Sequence, residues 1–433
     1  MANYIEPRKI AGFVELLPEK QIIFEEMQEK IKSVFKKHSF VPQDTPVLEL
    51  SEILLAKSGG EVDKEIYRFS KGSTDMAMRY DLTVPTARYV AMHSEELTFP
   101  YRRYQIGKVY RAEKAQHLRY REFYQCDADI IGKDSLPVFA DAECIKLIDE
   151  IFTALSLDEI IEISNRKLLF GILKGLSLEE KSTEILTVLD KKDKIGMDKV
   201  IELLLELGLK NSEIETLKIA ILIDGKYDDV KGELLKLSKD EMFVSGCKEI
   251  DELFKGLKAL NVKQDNCKLK LSVIRGQNYY TGTVFETRIK GKENFSVVCA
   301  GGRYDNLTSY FSDKVFVGVG MSVGLTRLFA LLDSENMLTS TKESGSVLII
   351  PLGDTTLKCM EIMQSLRENG INAETMYEER SFKAKMKEAN KRNARYVIIV
   401  GEDEVREEKF ALKDMQNSTQ EKLNLSEIIS KLK

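Results

Sequence analysis

The chain has 433 residues, 43% of them hydrophobic and 31% charged, and a net charge of −5. That length predicts two or three domains with well-formed cores, and the charge excludes a broadly basic nucleic-acid coat while leaving room for a local basic patch. No run of about 18 apolar residues is present to span a bilayer, the six dispersed cysteines include no Cys-x-x-Cys pair to frame a zinc or disulfide site, and three histidines are too few to suggest a His-built metal site.

The first residues, MANYIEPRKIAGF, carry no apolar signal core, so a cytoplasmic location is expected. In Pro18–Lys37, Ile23, Phe24, Met27, Ile31, Val34 and Phe35 fall near one stripe, which predicts an amphipathic helix. Residues 40–49 follow as an extended stretch, because Pro42 and Pro46 do not suit a helix interior. Residues 67–80 read as a hairpin turning at 71–74. After Asp81 a helix begins, with Asp81 or Thr83 near its cap. Residues 101–132 then hold five arginines, four carboxylates and six aromatics. Side chains alternate in kind around Val109, Tyr110 and Arg111 and again over 120–129, the period of paired strands, with 114–118 as the turn. Arginines on such a hairpin fix several charges on one sheet face, and their forks suit phosphate oxygens and stack on flat rings. With carboxylates beside them, they predict a site for a nucleotide and a second, amine-bearing ligand. The plainer alternative is a solvated face of ion pairs.

Residues 136–155 read as a helix and 159–164 as a strand. From 167 to 260 the chain turns rich in Leu, Lys, Glu and Asp. Segments such as DKVIELLLELGL and KEIDELFKGLKAL have helical period, which predicts an all-helical insertion. Strands resume at 269–275, 283–290 and 295–300. Gly301-Gly302-Arg303 reads as a tight break, and VFVGVGMSVGLTRLFALL leads from a glycine-rich strand into a helix. Residues 333–345 are mostly polar and read as a linker. Beyond them SVLIIPLG, INAETMY, YVIIVGEDE and KFALKDM alternate with helices, which predicts a compact α/β domain with a mainly parallel sheet. There Arg380, Lys383, Lys385, Lys387, Lys391, Arg392 and Arg395 form a basic patch against Glu388. Composition alone leaves open a solvated helix face or a phosphate-binding surface.

Five segments point one way: TPVLE at 45–49, MRYDLTVPTARY at 78–89, the arginine-rich hairpin, RGQNYYTGTVFE at 275–286 with AGGRYD at 300–305, and VGVGMSVGLTRL at 317–328. In order and spacing the chain resembles class II aminoacyl-tRNA synthetases, and the histidyl-tRNA synthetase family in particular. TPVLE is similar to the first class motif, the hairpin to the second and GLTRL to the third. RGQNYYTG and AGGRYD resemble the two segments particular to the histidine enzymes. Five ordered matches are far more specific than one glycine-rich motif. The chain departs from the family pattern at Ala115 (usually Pro), Leu118 (usually Gly), Gln277 and Asn278 (in RGLDYYTG), and Thr326 (often Glu).

The resemblance implies an α+β fold. Residues 1–332 would be a class II catalytic domain on an antiparallel sheet, with 167–260 as its helical insertion. Residues 333–345 would be the linker and 346–433 an α/β anticodon-binding domain. The implied activity is ligation of histidine to tRNA(His) through histidyl-adenylate formed from ATP. Arg111, Arg275 and Arg327 are the implied catalytic cations. Arg111 would grip the α-phosphate, Arg275 the α-phosphate and the substrate carboxylate, and Arg327 the far end of a bent ATP. Glu113 would accept from the adenine amine and Phe123 would stack beneath its ring. Asp81 and Thr83 would hold the histidine ammonium, and Gln125 would contact the amino acid. Asp129, with Tyr279 and Tyr280, would face the imidazole, where polar readout discriminates strongly. Since adjacent strand residues face opposite ways, one of the two tyrosines is expected in the core. Gln116 and Arg119 would meet the acceptor end of the tRNA, and the basic patch would contact phosphate. Mg²⁺ would arrive with ATP, on oxygen ligands the sequence does not single out. A homodimer with Pro46 at its interface is also implied. The competing reading is a non-catalytic histidine-binding paralogue that regulates ATP phosphoribosyltransferase, although such paralogues generally lack the C-terminal domain.

Overall fold

The computed structural model describes residues 5–56, 65–274, 280–339 and 347–433. The chain divides into two compact units, Met1–Leu338 and Thr339–Lys433.

In the first unit the helix Pro18–Lys37 starts on proline and ends on Lys36 and Lys37, both favourable to the helix dipole. It buries Phe24, Met27, Ile31, Val34 and Phe35, as their spacing predicts. Strands β1 (Val41–Pro42), β2 (Leu48–Leu50), β3 (Arg68–Lys71) and β4 (Thr74–Met78) precede the helix Thr83–Met92. The long hairpin is β5 (Tyr101–Tyr110) with β6 (Glu122–Lys133). After the helix Phe139–Ala154 come β7 (Glu159–Asn165), β8 (Asp224–Gly225), β9 (Cys267–Lys270), β10 (Thr283–Ile289), β11 (Cys299–Tyr304) and β12 (Phe316–Val323). Nine strands form one sheet in the order β1-β5-β6-β12-β11-β10-β7-β9-β8. It is antiparallel except where β1 meets β5 and β7 meets β9. β2, β4 and β3 form a separate antiparallel sheet.

Period two sorts the hairpin residues between the faces of the large sheet. On β6, Cys126, Ala128 and Ile130 join Phe24, Ile31, Ile145 and Ile148 in the core, while Phe123, Gln125, Asp127 and Asp129 line a cleft. Full burial of an aliphatic side chain of that size is worth about 1.5–3 kcal/mol, so a one-residue slip of β6 would forfeit the core and the cleft together. Between β7 and β9 the chain is helical apart from the two-residue β8. The helices Arg166–Gly175 and Glu241–Ala259 pack through Leu168, Ile172, Phe243 and Ile250, and their core is continuous with that of the sheet.

Gly301, Gly302 and Arg303 do not break the chain; they lie inside β11. The strand needs glycine for close approach, since a Cβ on Gly301 would sit 2.2 Å from Gly320 O and 2.4 Å from the Phe285 ring. Arg303 binds both Asp141 oxygens, at 3.2 and 2.7 Å, and donates to Leu136 O and Pro137 O. That fork ties β11 to the helix Phe139–Ala154.

The second unit holds β13 (Val347–Pro351), β14 (Ala373–Thr375), β15 (Tyr396–Val400), β16 (Phe410–Asp414) and β17 (Thr419–Leu423), in the order β14-β13-β15-β16-β17. The sheet is parallel around β13 but antiparallel from β15 to β17, so the expected mainly parallel sheet is in fact mixed. β17 escapes sequence reading because its residues, TQEKL, sit on an exposed edge and carry no apolar alternation. The GEDE segment enters a helix, Glu402–Glu407, rather than prolonging β15. The basic patch is thinner than its sequence suggests. Lys385 is buried and donates to Pro351 O at 3.1 Å, and Arg392 is paired with Glu374 and Glu388. Arg380, Lys383, Lys387 and Lys391 remain exposed. Among the described residues no helix is long and apolar enough to cross a membrane. All six cysteines are buried and free.

Candidate active site

A cleft of about 840 Å³ opens on the face of the large sheet away from the core, walled by β6, β10, β11 and β12 and by the loop between β5 and β6. Cross-strand register lays its floor in rows. Arg103 on β5, Asp129 on β6, Gly320 on β12 and Gly302 on β11 stand in register. One step along, Gln105, Asp127, Ser322 and Ala300 do the same.

Arg103 is wholly buried and pairs with Asp129. Asp129 Oδ1 accepts from Tyr304 Oη at 2.8 Å. Burial raises the Asp129 pKa, while Arg103 and the Tyr304 hydrogen bond pull it back. A Cβ on Gly320 would fall 1.9 Å from Asp129 Oδ1, so the carboxylate occupies the space that glycine leaves. Burial pushes the Asp127 carboxyl up to about 7, against the opposing pull of Arg103 and a hydrogen bond from Ser322. Asp81 is raised by burial too, opposed by its hydrogen bond from Val84 N (3.0 Å) and by Arg111. That bond satisfies a backbone donor in the first turn of the helix Thr83–Met92, so capping and lining the cleft are combined in one residue.

The other end of the cleft is cationic. Arg111 Nε donates to Tyr80 O at 3.2 Å, and its guanidinium lies 5.2 Å from the centre of the Phe123 ring. Arg327, in the first turn of the helix Leu325–Ser334, donates to Leu118 O at 3.3 Å and Val297 O at 3.2 Å. Burial lowers its pKa, and repulsion from Arg111 and Arg119 adds to the effect. Glu113 pairs with Arg119. Glu65 stands near, its pKa raised by burial and then by Glu113. Mutually repelling guanidinium groups held in a concave site attract a polyanion.

Two departures from the family pattern now have a physical account. Gln116 and Arg119 close the hairpin turn through backbone bonds of 3.1 and 3.0 Å. Leu118 lies inside that turn at φ 58°, where glycine is the unstrained choice. The strain, about 1–2 kcal/mol for an L-residue, is offset by burial of the leucine side chain. Thr326 serves the backbone instead of the cleft, its hydroxyl accepting from Tyr124 N at 2.8 Å.

The structure brings Asp81, Thr83, Arg111, Glu113, Gln116, Arg119, Phe123, Gln125, Asp129, Tyr280 and Arg327 to this one cleft. Arg275, Gln277, Asn278 and Tyr279 lie outside the described residues. Sequence reasoning missed Arg103, Asp127, Tyr304 and Ser322. The signal for Asp127 was present: it shares the face of β6 with Gln125 and Asp129. Tyr304 lies within AGGRYD, already singled out as a segment. Arg103 carried no signal beyond belonging to the arginine-rich strand. Among the described residues no group of three or more His, Cys, Asp or Glu side chains is arranged to hold a metal ion.

A family profile described as "Histidyl-tRNA synthetase" matches residues 12–328, and one described as "Anticodon binding domain" matches residues 346–433. The protein named histidine–tRNA ligase from Clostridium acetobutylicum is 42% identical, over 99% of this chain and 100% of its own length. The protein of the same name from Clostridium tetani is 43% identical, over 100% and 99%. The crystal structure of histidyl-tRNA synthetase from Nostoc sp. PCC 7120 superposes with a TM-score of 0.90 at 33% identity, over 99% of this chain and 100% of that one. A Bacillus halodurans structure described as an ATP phosphoribosyltransferase regulatory subunit/histidyl-tRNA synthetase has a TM-score of 0.78 at 20% identity, over 92% and 99%, and shares the fold. With the motifs in order, the antiparallel sheet beneath them and relatives matched from end to end, the chain belongs to the histidyl-tRNA synthetase family.

Proposed function

We propose that this chain activates histidine with ATP and transfers it to tRNA(His). The observation that carries the reading is the polarity of the cleft. Buried carboxylates Asp127 and Asp129 stand toward one end, Arg111, Arg327 and Arg119 toward the other, and Asp81 lies between, within the influence of both Arg103 and Arg111. A zwitterionic amino acid fits with its ammonium at the acidic end and its carboxylate toward the cations. There the carboxylate attacks the α-phosphorus of ATP, the bond to pyrophosphate breaks, and the mixed anhydride remains. A ribose hydroxyl at the tRNA end then attacks the carbonyl, and AMP leaves. Both reactants of the first step are anions, so fixed cations and held geometry supply most of what the protein can add.

In this reading Arg111 and Arg275 neutralise the α-phosphate, Arg327 holds the distal phosphates, and Glu113 and Phe123 receive the adenine. Asp81, Thr83 and Gln125 line the part of the cleft that receives the ammonium and backbone of histidine. Asp129 and Tyr280 face the imidazole, with Tyr279 as the residue expected on the opposite side. Gln116 and Arg119 meet the tRNA acceptor end. Mg²⁺ is proposed as the companion of ATP. It takes one or two carboxylates plus phosphate and water oxygens, and Glu286 is the cleft carboxylate nearest that description.

We further assign residues 1–332 to the catalytic domain with the insertion at 167–260, residues 333–345 to a linker, and residues 346–433 to anticodon binding. A homodimer through the first motif is supported by exposed apolar side chains on β1 to β3 around Pro46, namely Val41, Leu48, Leu50 and Phe69. We place this reaction in the cytoplasm. The test is exchange of pyrophosphate into ATP with each amino acid supplied in turn, followed by charging of tRNA(His). Exchange dependent on histidine alone is expected. A regulatory paralogue would give no exchange with any amino acid, and that result would end the proposal.

A further inference from the structure

We propose that Asp127 is a third acceptor for the α-ammonium of the amino-acid substrate, completing a tripod with Asp81 and Gln125. The inference rests on the reading of this cleft as a histidine site.

Three buried oxygen atoms on the cleft wall lack a well-formed hydrogen bond, namely Asp81 Oδ2, Gln125 Oε1 and Asp127 Oδ1, although the Tyr80 hydroxyl also acts on the Asp81 carboxylate. In each residue another polar atom is already engaged, so the open atom is fixed by elimination. Asp81 Oδ1 accepts from Val84 N at 3.0 Å. Gln125 Nε2 donates to Ser322 Oγ at 2.6 Å. The Ser322 hydroxyl in turn donates to the Asp127 carboxylate. This relay from Gln125 through Ser322 to Asp127 sets the amide so that its carbonyl is the group left open. Gln125 and Asp127 are two apart on β6 and so share a face, and Asp81 is near enough to raise the Asp127 pKa.

Buried acceptors are nearly always satisfied, and each one left open is costly. Three together on one wall fit a ligand that brings three donors at once. A primary ammonium has three N–H bonds diverging from one nitrogen, whereas a neutral imidazole has one N–H. The charge agrees. Two carboxylates facing one ammonium leave a negative excess, and Arg103, which acts electrostatically on Asp81, Asp127 and Asp129, lies beneath to balance it.

The test is calorimetric titration of the full chain with L-histidine and with 3-(imidazol-4-yl)propionate, which keeps the ring and the carboxylate but lacks the amine. Asp127→Asn should weaken histidine about 30-fold, the size of one charge-assisted hydrogen bond, and leave the des-amino analogue nearly unchanged. Ser322→Ala, which frees the Gln125 amide to rotate, should act in the same direction and serves if Asp127→Asn does not fold. Equal loss for both ligands, or no loss for either, would overturn the tripod. A wild-type protein that bound no histidine would instead remove the underlying reading of the cleft, and the tripod with it.

Discussion

Replacing Arg103 by methionine tests the electrostatic design of the cleft floor. The guanidinium is fully buried and its partner Asp129 is 3% exposed, so neither charge reaches water. Removing one member of such a pair costs about 3–5 kcal/mol, because the other is left buried without compensation. Asp129 can escape part of that cost by taking up a proton. Burial already raises its pKa, and Arg103 is the leading influence holding it down. In Arg103→Met the carboxyl is therefore expected to be pushed further up and to hold a proton more readily, keeping its bond from Tyr304 but offering the imidazole a weaker charged acceptor. A hydrogen bond to a charged group is worth about 1.5–3 kcal/mol, so histidine affinity should fall roughly 10- to 150-fold. Urea unfolding and calorimetric titration with histidine measure the two effects separately. The double variant Arg103→Met/Asp129→Asn removes both charges. It should recover most of the lost stability and none of the lost affinity. An Arg103→Met protein that unfolded at the wild-type urea concentration and bound histidine as tightly would falsify the account of Arg103 as the counter-charge of the floor.

Gly320→Ala places a methyl 1.9 Å from Asp129 Oδ1, against a carboxylate clamped by Arg103 and Tyr304. Overpacking of this kind costs about 1–3 kcal/mol, and a misplacement of about 1 Å can cost roughly 100-fold in rate; kcat/KM for histidine in the exchange assay should fall accordingly, and a normal value would mean the row tolerates a side chain. Asp127→Asn should also change stability with pH. Arg103, Ser322, Asp129 and Asp81 act on Asp127, which in turn acts on Arg79 and on the Cys126 and Cys299 thiols. The carboxyl titrates near 7 when folded against about 4 unfolded, so the folded state binds the extra proton between those values and wild-type stability declines as pH rises through that window. The ligand-free variant should match wild type near pH 4 and exceed it at pH 8, and parallel melting curves across that range would refute the assignment. Truncation after Leu338, where the first unit ends, should spare histidine-dependent exchange and weaken tRNA charging; a truncated chain that charged normally would show the second unit to be dispensable.

Much of this architecture was legible in the chain, for reasons that differ from element to element. The helix Pro18–Lys37 and the β5–β6 hairpin announced themselves because each has one buried and one polar face, so the periodicity was visible. The glycines of β11 misled. A Gly-Gly pair ordinarily signals a turn, but here it records how closely neighbouring strands approach, a property of the assembled sheet and of no single segment. β17 was silent because an edge strand of polar residues has no apolar face to betray it. Arg103 was illegible for a stronger reason. A buried arginine looks in sequence like any surface cation, and only the register of β5 on β6 reveals that its partner is Asp129. Lys385 shows the reverse error, a member of a basic run that turns inward to a backbone carbonyl.

Register also explains why selection and chemistry share one strand. Phe123, Gln125, Asp127 and Asp129 succeed one another on the cleft face of β6, and six residues of strand span about 20 Å. That is the reach needed to lay a nucleotide base, an amino-acid backbone and a side-chain ring in a line. The charges are graded along the same axis, from Arg111 over Phe123 to the Arg103-backed carboxylates beyond Gln125. An amino acid entering this field lowers its energy only with its ammonium inward and its carboxylate toward Arg111, which is the orientation the attack on phosphorus requires. A ligand without the amine loses that orienting force, and one without a polar ring leaves Asp129 unanswered. The floor that chooses the substrate is therefore the same device that aims it, and a substitution such as Arg103→Met should weaken both at once, lowering histidine affinity and, at saturating histidine, the exchange rate as well.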